Sequence, residues 1–165
     1  MSFGFLIAGF FAVTNAGRVA LAREEQKPSS GTIAAALIAG ALLAVIATIF
    51  ATDLLDALTI SPESFRIAAG VVLLVTAIRT LFSPRASTGP FAAVLFPPEL
   101  AAISLSFGAD EPTGKVLGAA AITLPFLVVA SVTSIRIPPQ LLAQILAGLQ
   151  IVIAIALAIS GMRDV

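Results

Sequence analysis

The chain contains no cysteine, histidine, tryptophan or tyrosine. Without cysteine there is no disulfide framework and no thiolate metal site. Without histidine the commonest metal ligand and the commonest general base are both missing. Charge is scarce as well: 11% of the 165 residues are charged, where an ordinary soluble domain carries about 25%. Nine basic and nine acidic residues cancel to a net charge of zero, which gives no reason to expect nucleic acid or an acidic partner. There is no Walker-type phosphate loop, so any transport must be driven by gradients rather than by nucleotide hydrolysis. Aspartate is confined to the ends of apolar segments. Neither a Ser-His pair nor an intramembrane Asp pair can therefore be assembled, and neither enzymatic activity nor a cofactor is expected.

What the chain does have is apolar surface. Hydrophobic residues make up 59% of it and the mean hydropathy is +1.09, the composition of an integral membrane protein. Met1-Ser2-Phe3-Gly4 lacks the basic start of a signal peptide, so residues 3–22 are expected to be a retained membrane segment, although Val19-Ala20-Leu21-Ala22 ends like a cleavage site.

Six apolar segments follow in order. The first runs from Phe3 to Ala22 and closes on Arg23-Glu24-Glu25-Gln26-Lys27-Pro28. The second spans Thr32 to Thr52 and ends near Asp53 and Asp56. Ile60-Ser61-Pro62-Glu63 then opens the third, Phe65 to Phe82, with Ser61 as N-cap, Pro62 at the first helical position and Glu63 at the positive helix end. Residues 83–90, rich in Pro, Ser and Gly, form a linker that divides the segments three and three. The fourth, Phe91 to Phe107, is short and interrupted by Pro97-Pro98. The fifth runs from Lys115 to Ile135 with a kink expected at Pro125, and Ile137-Pro138-Pro139-Gln140 opens the sixth, which continues to Gly161. The long segments have about the 20 residues that cross a hydrocarbon core roughly 30 Å thick.

The first and fourth segments share an interruption. Asn15-Ala16-Gly17-Arg18 places polar groups where lipid cannot satisfy them, and Phe96-Pro97-Pro98-Glu99 aligns with it in the second half. The openings of segments three and six also correspond. Three helices per half force the halves to insert in opposite directions, which predicts inverted repeats over residues 1–82 and 91–165, with helices 1 and 4 broken. A solute site is then expected where the broken helices meet, built from Asn15, Gly17, Arg18, Pro97, Pro98 and Glu99. Arg18 and Glu99 occupy equivalent positions and are expected to pair. Arg18 has a simpler reading too, with its guanidinium snorkelling to the inner headgroups, and Asn15 could serve only as a bond to a neighbouring helix. An unpaired buried carboxylate protonates rather than staying charged, so Glu99 is a candidate ion-pair partner or proton carrier. Arg66 and Arg79 read as interfacial anchors, Gln144 and Gln150 as interhelical glue, and Gly40, Gly70, Gly118 and Gly148 as close-packing points.

With both termini outside, the inner loops hold Arg23, Lys27, Arg79, Arg85 and Arg136, and the outer ends hold Arg66, Lys115 and Arg163. This is the orientation the positive-inside bias favours.

Several stretches resemble the MarC family, which includes the SnatA-type small neutral amino acid transporters. Phe11-Ala12-Val13-Thr14-Asn15-Ala16-Gly17 is similar to that family's first-helix pattern ending in Asn-Pro-x-Gly. Ile60-Ser61-Pro62-Glu63-Ser64-Phe65-Arg66-Ile67-Ala68-Ala69-Gly70 is similar to its Ile-Ser-x-x-x-Phe-Arg-Ile-Ala-Gly-Gly, and Ala101-Ala102-Ile103-Ser104 to its Gly-Ala-Ile-Ser. The chain departs from the pattern at Ala16, where the family has Pro, and at Pro97-Pro98-Glu99, near which the family has Gly-Pro-Gly. The resemblance implies a six-helix carrier of the cell inner membrane that exports or imports a small neutral amino acid or similar solute. A proton or sodium ion would be the coupling ion and a homo-oligomer an allowed assembly. The alternative is a non-transporting membrane scaffold or assembly protein.

Overall fold

A computed structural model describes residues 1–83, 98–132 (the backbone alone at 131 and 132) and 137–164. Among the described residues every regular element is helical: α1 (Phe3–Thr14), α2 (Ala16–Gln26), α3 (Ser30–Ile49), α4 (Ala51–Ala57), α5 (Pro62–Phe82), α6 (Pro98–Asp110), α7 (Thr113–Val132) and α8 (Pro139–Asp164). Among the described residues five stretches are long and apolar enough to cross a membrane: Phe3–Gln26, Ser30–Ile49, Pro62–Phe82, Thr113–Ala130 and Pro139–Asp164. The linker and the first part of the fourth segment, residues 84–97, lie outside the described residues.

Local chemistry sets the helix ends. The Oγ atoms of Ser2, Ser29 and Ser61 accept hydrogen bonds from the amides of Phe5, Thr32 and Ser64, each at 3.2 Å. Each cap satisfies an amide that the first turn leaves orphaned. Ser61 and Pro62 thus start α5 as its sequence predicts. Two boundaries differ from expectation. The first segment stays helical to Gln26, where Lys27 at φ 46° ends it. The second segment is not one helix: Phe50, at φ −96° and ψ 12°, separates α3 from α4.

Polarity is arranged inside out. Ile38, Leu42 and Ile46 form an exposed apolar stripe on α3, and Val71, Val75, Ile78 and Phe82 form another on α5. Asn15, Arg66, Glu99, Ser104, Ser106 and Gln150 are buried. A water-soluble protein inverts this pattern, because exposed apolar stripes cost free energy in water and none in lipid. The chain is thus consistent with a multi-pass membrane protein.

The helices α5 and α8 make the most extensive contact in the molecule. Gln150 Nε2 donates to Leu73 O at 3.0 Å and to Thr76 Oγ1 at 2.9 Å, and Gln144 Nε2 donates to Leu81 O at 3.2 Å. Both glutamines therefore glue helices together, as expected. A Cβ on Gly70 would lie 2.7 Å from Ala154 O, so this glycine is a close-packing point. Gly118 and Gly148 have no such close approach among the described residues: a Cβ on Gly118 would lie 3.8 Å from Phe3, and one on Gly148 would have no described atom within 4 Å. Phe107 packs edge-on against Phe5 and Phe10, with ring centroids 5.9 and 5.6 Å away, and joins α6 to α1.

The tightest approach is at Gly17, where a Cβ would sit 2.2 Å from Ala143 N and 2.6 Å from Ala143 Cα. The backbones of α2 and α8 touch there, so Gly17→Ala must push the helices apart. We expect it to cost about 1–3 kcal/mol, whereas Gly148→Ala should change stability by no more than about 1 kcal/mol, in the stabilising direction. Thermal unfolding of both variants in detergent checks this. A Gly17→Ala protein as stable as the wild type would rule out the contact.

Candidate functional site

Asn15 alone separates α1 from α2, at φ 37° and ψ 75°. This left-handed conformation is sterically costly for most residues, and asparagine is among the few that tolerate it. The fully buried side chain then works in both directions. Its Oδ1 accepts from Arg18 N at 3.2 Å and caps α2, while its Nδ2 donates to Ala143 O of α8 at 3.1 Å. The residue starts a second helix inside one apolar segment and ties that start to a neighbouring helix.

One turn on, Arg18 Nη1 lies 3.7 Å from Glu99 Oε1. Arg18 lies inside the apolar stretch Phe3–Gln26. The Glu99 side chain is 4% exposed and that of Arg18 is 18% exposed. Glu99 lies in the first turn of α6, where the helix dipole favours a carboxylate. Its Oε2 is buried and has no hydrogen-bond partner among the described residues. The expected pairing is therefore present.

The other expected site residues fall differently. Gly17 faces the α8 backbone rather than a cavity. Pro98 is the exposed first residue of α6. Pro97 lies outside the described residues, as does Phe96, so the expected break of the fourth helix is not described. A cavity of about 260 Å³ opens between α1, α3, α6 and α7, with Thr14, Gly40, Ala44, Leu100, Ala120 and Thr123 among its walls. Thr14 and Leu100 are the chain neighbours of Asn15 and Glu99, but Asn15, Arg18 and Glu99 themselves do not line it. The hydroxyls of Thr14 and Thr123 are spent on Phe10 O and Ala120 O, at 2.8 and 2.7 Å. Ala121, also on the wall, loses the usual donor to its carbonyl because Pro125 has no N–H.

A second polar cluster escaped the sequence reading. Arg66 is not an interfacial anchor: it is 7% exposed and faces three carboxylates. Its Nη1 donates to Asp164 Oδ2 at 2.7 Å and to Ser160 Oγ at 2.8 Å. Its Nε lies 2.9 Å from Asp110 Oδ2, and its Nη2 lies 3.9 Å from Glu63 Oε1. Beside it Glu111 pairs with the α-ammonium of Met1 and with Lys115, whose Nζ lies 2.6 Å from Glu111 Oε2. One signal could have found this cluster: Glu63, Asp110, Glu111 and Asp164 all fall at segment ends that a three-plus-three topology brings to one side.

No family model, curated protein or solved structure matches this chain.

Removing one member of a buried ion pair leaves the other charge stranded, whereas removing both does not. We expect Arg18→Leu and Glu99→Leu each to destabilise the protein by about 3–5 kcal/mol. The double variant should lose much less than the sum of the two. Thermal melts in detergent measure the cycle, and additive losses would show that the two charges do not interact.

Proposed function

We propose that the chain is a gradient-driven carrier of a small neutral amino acid or similar small polar solute. In this reading it has six spans in two inverted repeats, helices 1 and 4 are broken, and both termini lie outside the inner membrane. The observation that carries the reading is the buried Arg18–Glu99 pair, whose two residues stand in apolar segments. A charge there costs at least about 2.5–3.5 kcal/mol, and a buried pair gives no reliable gain in stability. Ionisable groups in that position commonly mark a solute or ion pathway.

Three further features support it. The segment is interrupted at Asn15 beside the pair, and carriers with discontinuous helices bind solute at such interruptions. The adjoining cavity of about 260 Å³, walled by alanines, a glycine and two threonines together with leucines and Phe10, has room for a small solute. Helices α1 and α5 begin at the Arg66 end of the bundle, whereas α6 and α8 finish there. The first and fourth segments thus run in opposite directions, as do the third and sixth, as inverted repeats require. The resemblance to the MarC family is what favours an amino acid as the solute.

The test is uptake of radiolabelled glycine and alanine into proteoliposomes, with and without imposed pH and sodium gradients. Wild-type protein should accumulate at least one of them under at least one gradient. The Arg18→Leu, Glu99→Leu double variant, shown to be folded by its melt, should not. Folded wild-type protein that moves neither solute under any gradient would leave the scaffold reading in its place.

A further inference from the structure

The Arg66 cluster joins α5, α6 and α8 at one end of the bundle, but its joints are unequal. Along their length α5 and α8 are held by two glutamines and by the close approach at Gly70. Arg66 adds two aligned hydrogen bonds to Ser160 and Asp164 on the same helix. The link to α6 is different. Arg66 Nε and Asp110 Oδ2 approach to 2.9 Å, yet both are buried and neither makes a hydrogen bond among the described residues. One guanidinium thus serves three carboxylates, and the one on α6 is held by proximity without a directed bond. A cavity of about 280 Å³, lined in part by Met1, Phe5 and Ser160, opens beside this joint.

We propose that closure of this end of the bundle takes up a proton at Asp110, so that the Arg66 cluster is a pH-sensitive clasp between α6 and the α5–α8 pair. A neutral Asp110 removes one of the three negative charges that crowd Arg66, and leaves the guanidinium to Asp164 and Ser160. The charged groups around Asp110 are Arg66 and Glu63 on α5, Asp164 on α8, the Met1 ammonium ahead of α1, its neighbour Glu111, and Lys115 on α7. The remaining neighbour helices add little: α3 carries no charge, and Asp53 and Asp56 on α4 are exposed.

Burial pushes the Asp110 carboxyl above its ordinary value of 3.8, with the negative charges of Glu63 and Asp164 adding to the rise. Arg66 and the Met1 ammonium oppose it and do not prevail. The sign of the linkage follows. The closed form holds the proton more tightly than an open form in which Asp110 meets water, so protonation favours closure. Closure is complete below the ordinary value and weakens as pH rises through the raised one.

The absence of cysteine supplies the reporter. Ser106 lies one turn before Asp110, is 1% exposed, and its Oγ has no partner among the described residues. Ser106→Cys is then the sole thiol, buried when the clasp is closed. Its labelling by a small methanethiosulfonate reagent is followed from about pH 5 to about pH 8 and divided by the rate in a background that also carries Asp110→Asn, which cancels the thiol's own ionisation. The ratio should rise with pH, because the amide of the Asp110→Asn variant mimics the neutral carboxyl and keeps the clasp closed at every pH. Glu63→Gln, which removes a neighbouring negative charge, should move the midpoint to lower pH. A flat ratio overturns the proposal. If Asp110→Asn does not fold, the rates are divided instead by those of the same thiol in denatured protein, and a midpoint that Glu63→Gln leaves unmoved overturns the proposal equally. The readout needs no transported solute, so its failure is separable from a failure of the carrier reading.

Discussion

In hydrocarbon a backbone or side-chain polar group that finds no partner inside the protein finds none at all. Asn15 meets that constraint at the most demanding point of the chain. Interrupting a buried helix exposes orphan amides and carbonyls, and a single side chain caps the new start and ties it to a neighbouring helix. Its Oδ1 caps α2 and its Nδ2 reaches a carbonyl of α8. Because the break is made by one residue in the left-handed region, α2 restarts with a new rotation about its axis. That rotation sets the face on which Gly17 meets Ala143 and Arg18 meets Glu99. Alanine at position 15 would lack both the cap and the tolerance for this conformation.

The same constraint explains how the two buried arginines differ. Arg18 has one carboxylate at 3.7 Å, a separation too long for a hydrogen bond, and leaves Glu99 Oε2 without a partner among the described residues. Arg66 has two close carboxylates, a third at 3.9 Å and a serine hydroxyl. A guanidinium offers five donors in a fixed fork; among the described residues Arg18 makes no side-chain hydrogen bond, whereas Arg66 makes two, both from Nη1. A buried charge without hydrogen bonds suits a place where something else must bind, and a bonded network suits a joint. The proposed solute site and the proposed clasp divide along that line.

Much of this is legible in the residues alone. Ser61-Pro62-Glu63 specifies the start of α5, because capping and the fixed φ of proline act within one turn. The alignment of Asn15–Arg18 with Phe96–Glu99 anticipates the Arg18–Glu99 contact, since two charges in apolar segments are best tolerated together. The split at Phe50 is not legible: nothing in the run from Ala44 to Ala51 breaks a helix by its own propensity. Nor is the role of Gly17, which reads as a solute contact and instead provides contact with α8.

By itself the sequence determined that this is a helical chain with long apolar spans, where several helices start, and which polar residues interrupt the apolar segments. Those properties follow from composition and from interactions a few residues long. Tertiary structure alone decided that Arg66 is a buried hub rather than a headgroup anchor, because its carboxylate partners Asp110 and Asp164 stand 44 and 98 residues away. It also decided that the small-residue cavity lies beside the ion pair and not around it. Which side chains of different helices meet depends on helix rotation and spacing, and these are set by packing across the whole bundle.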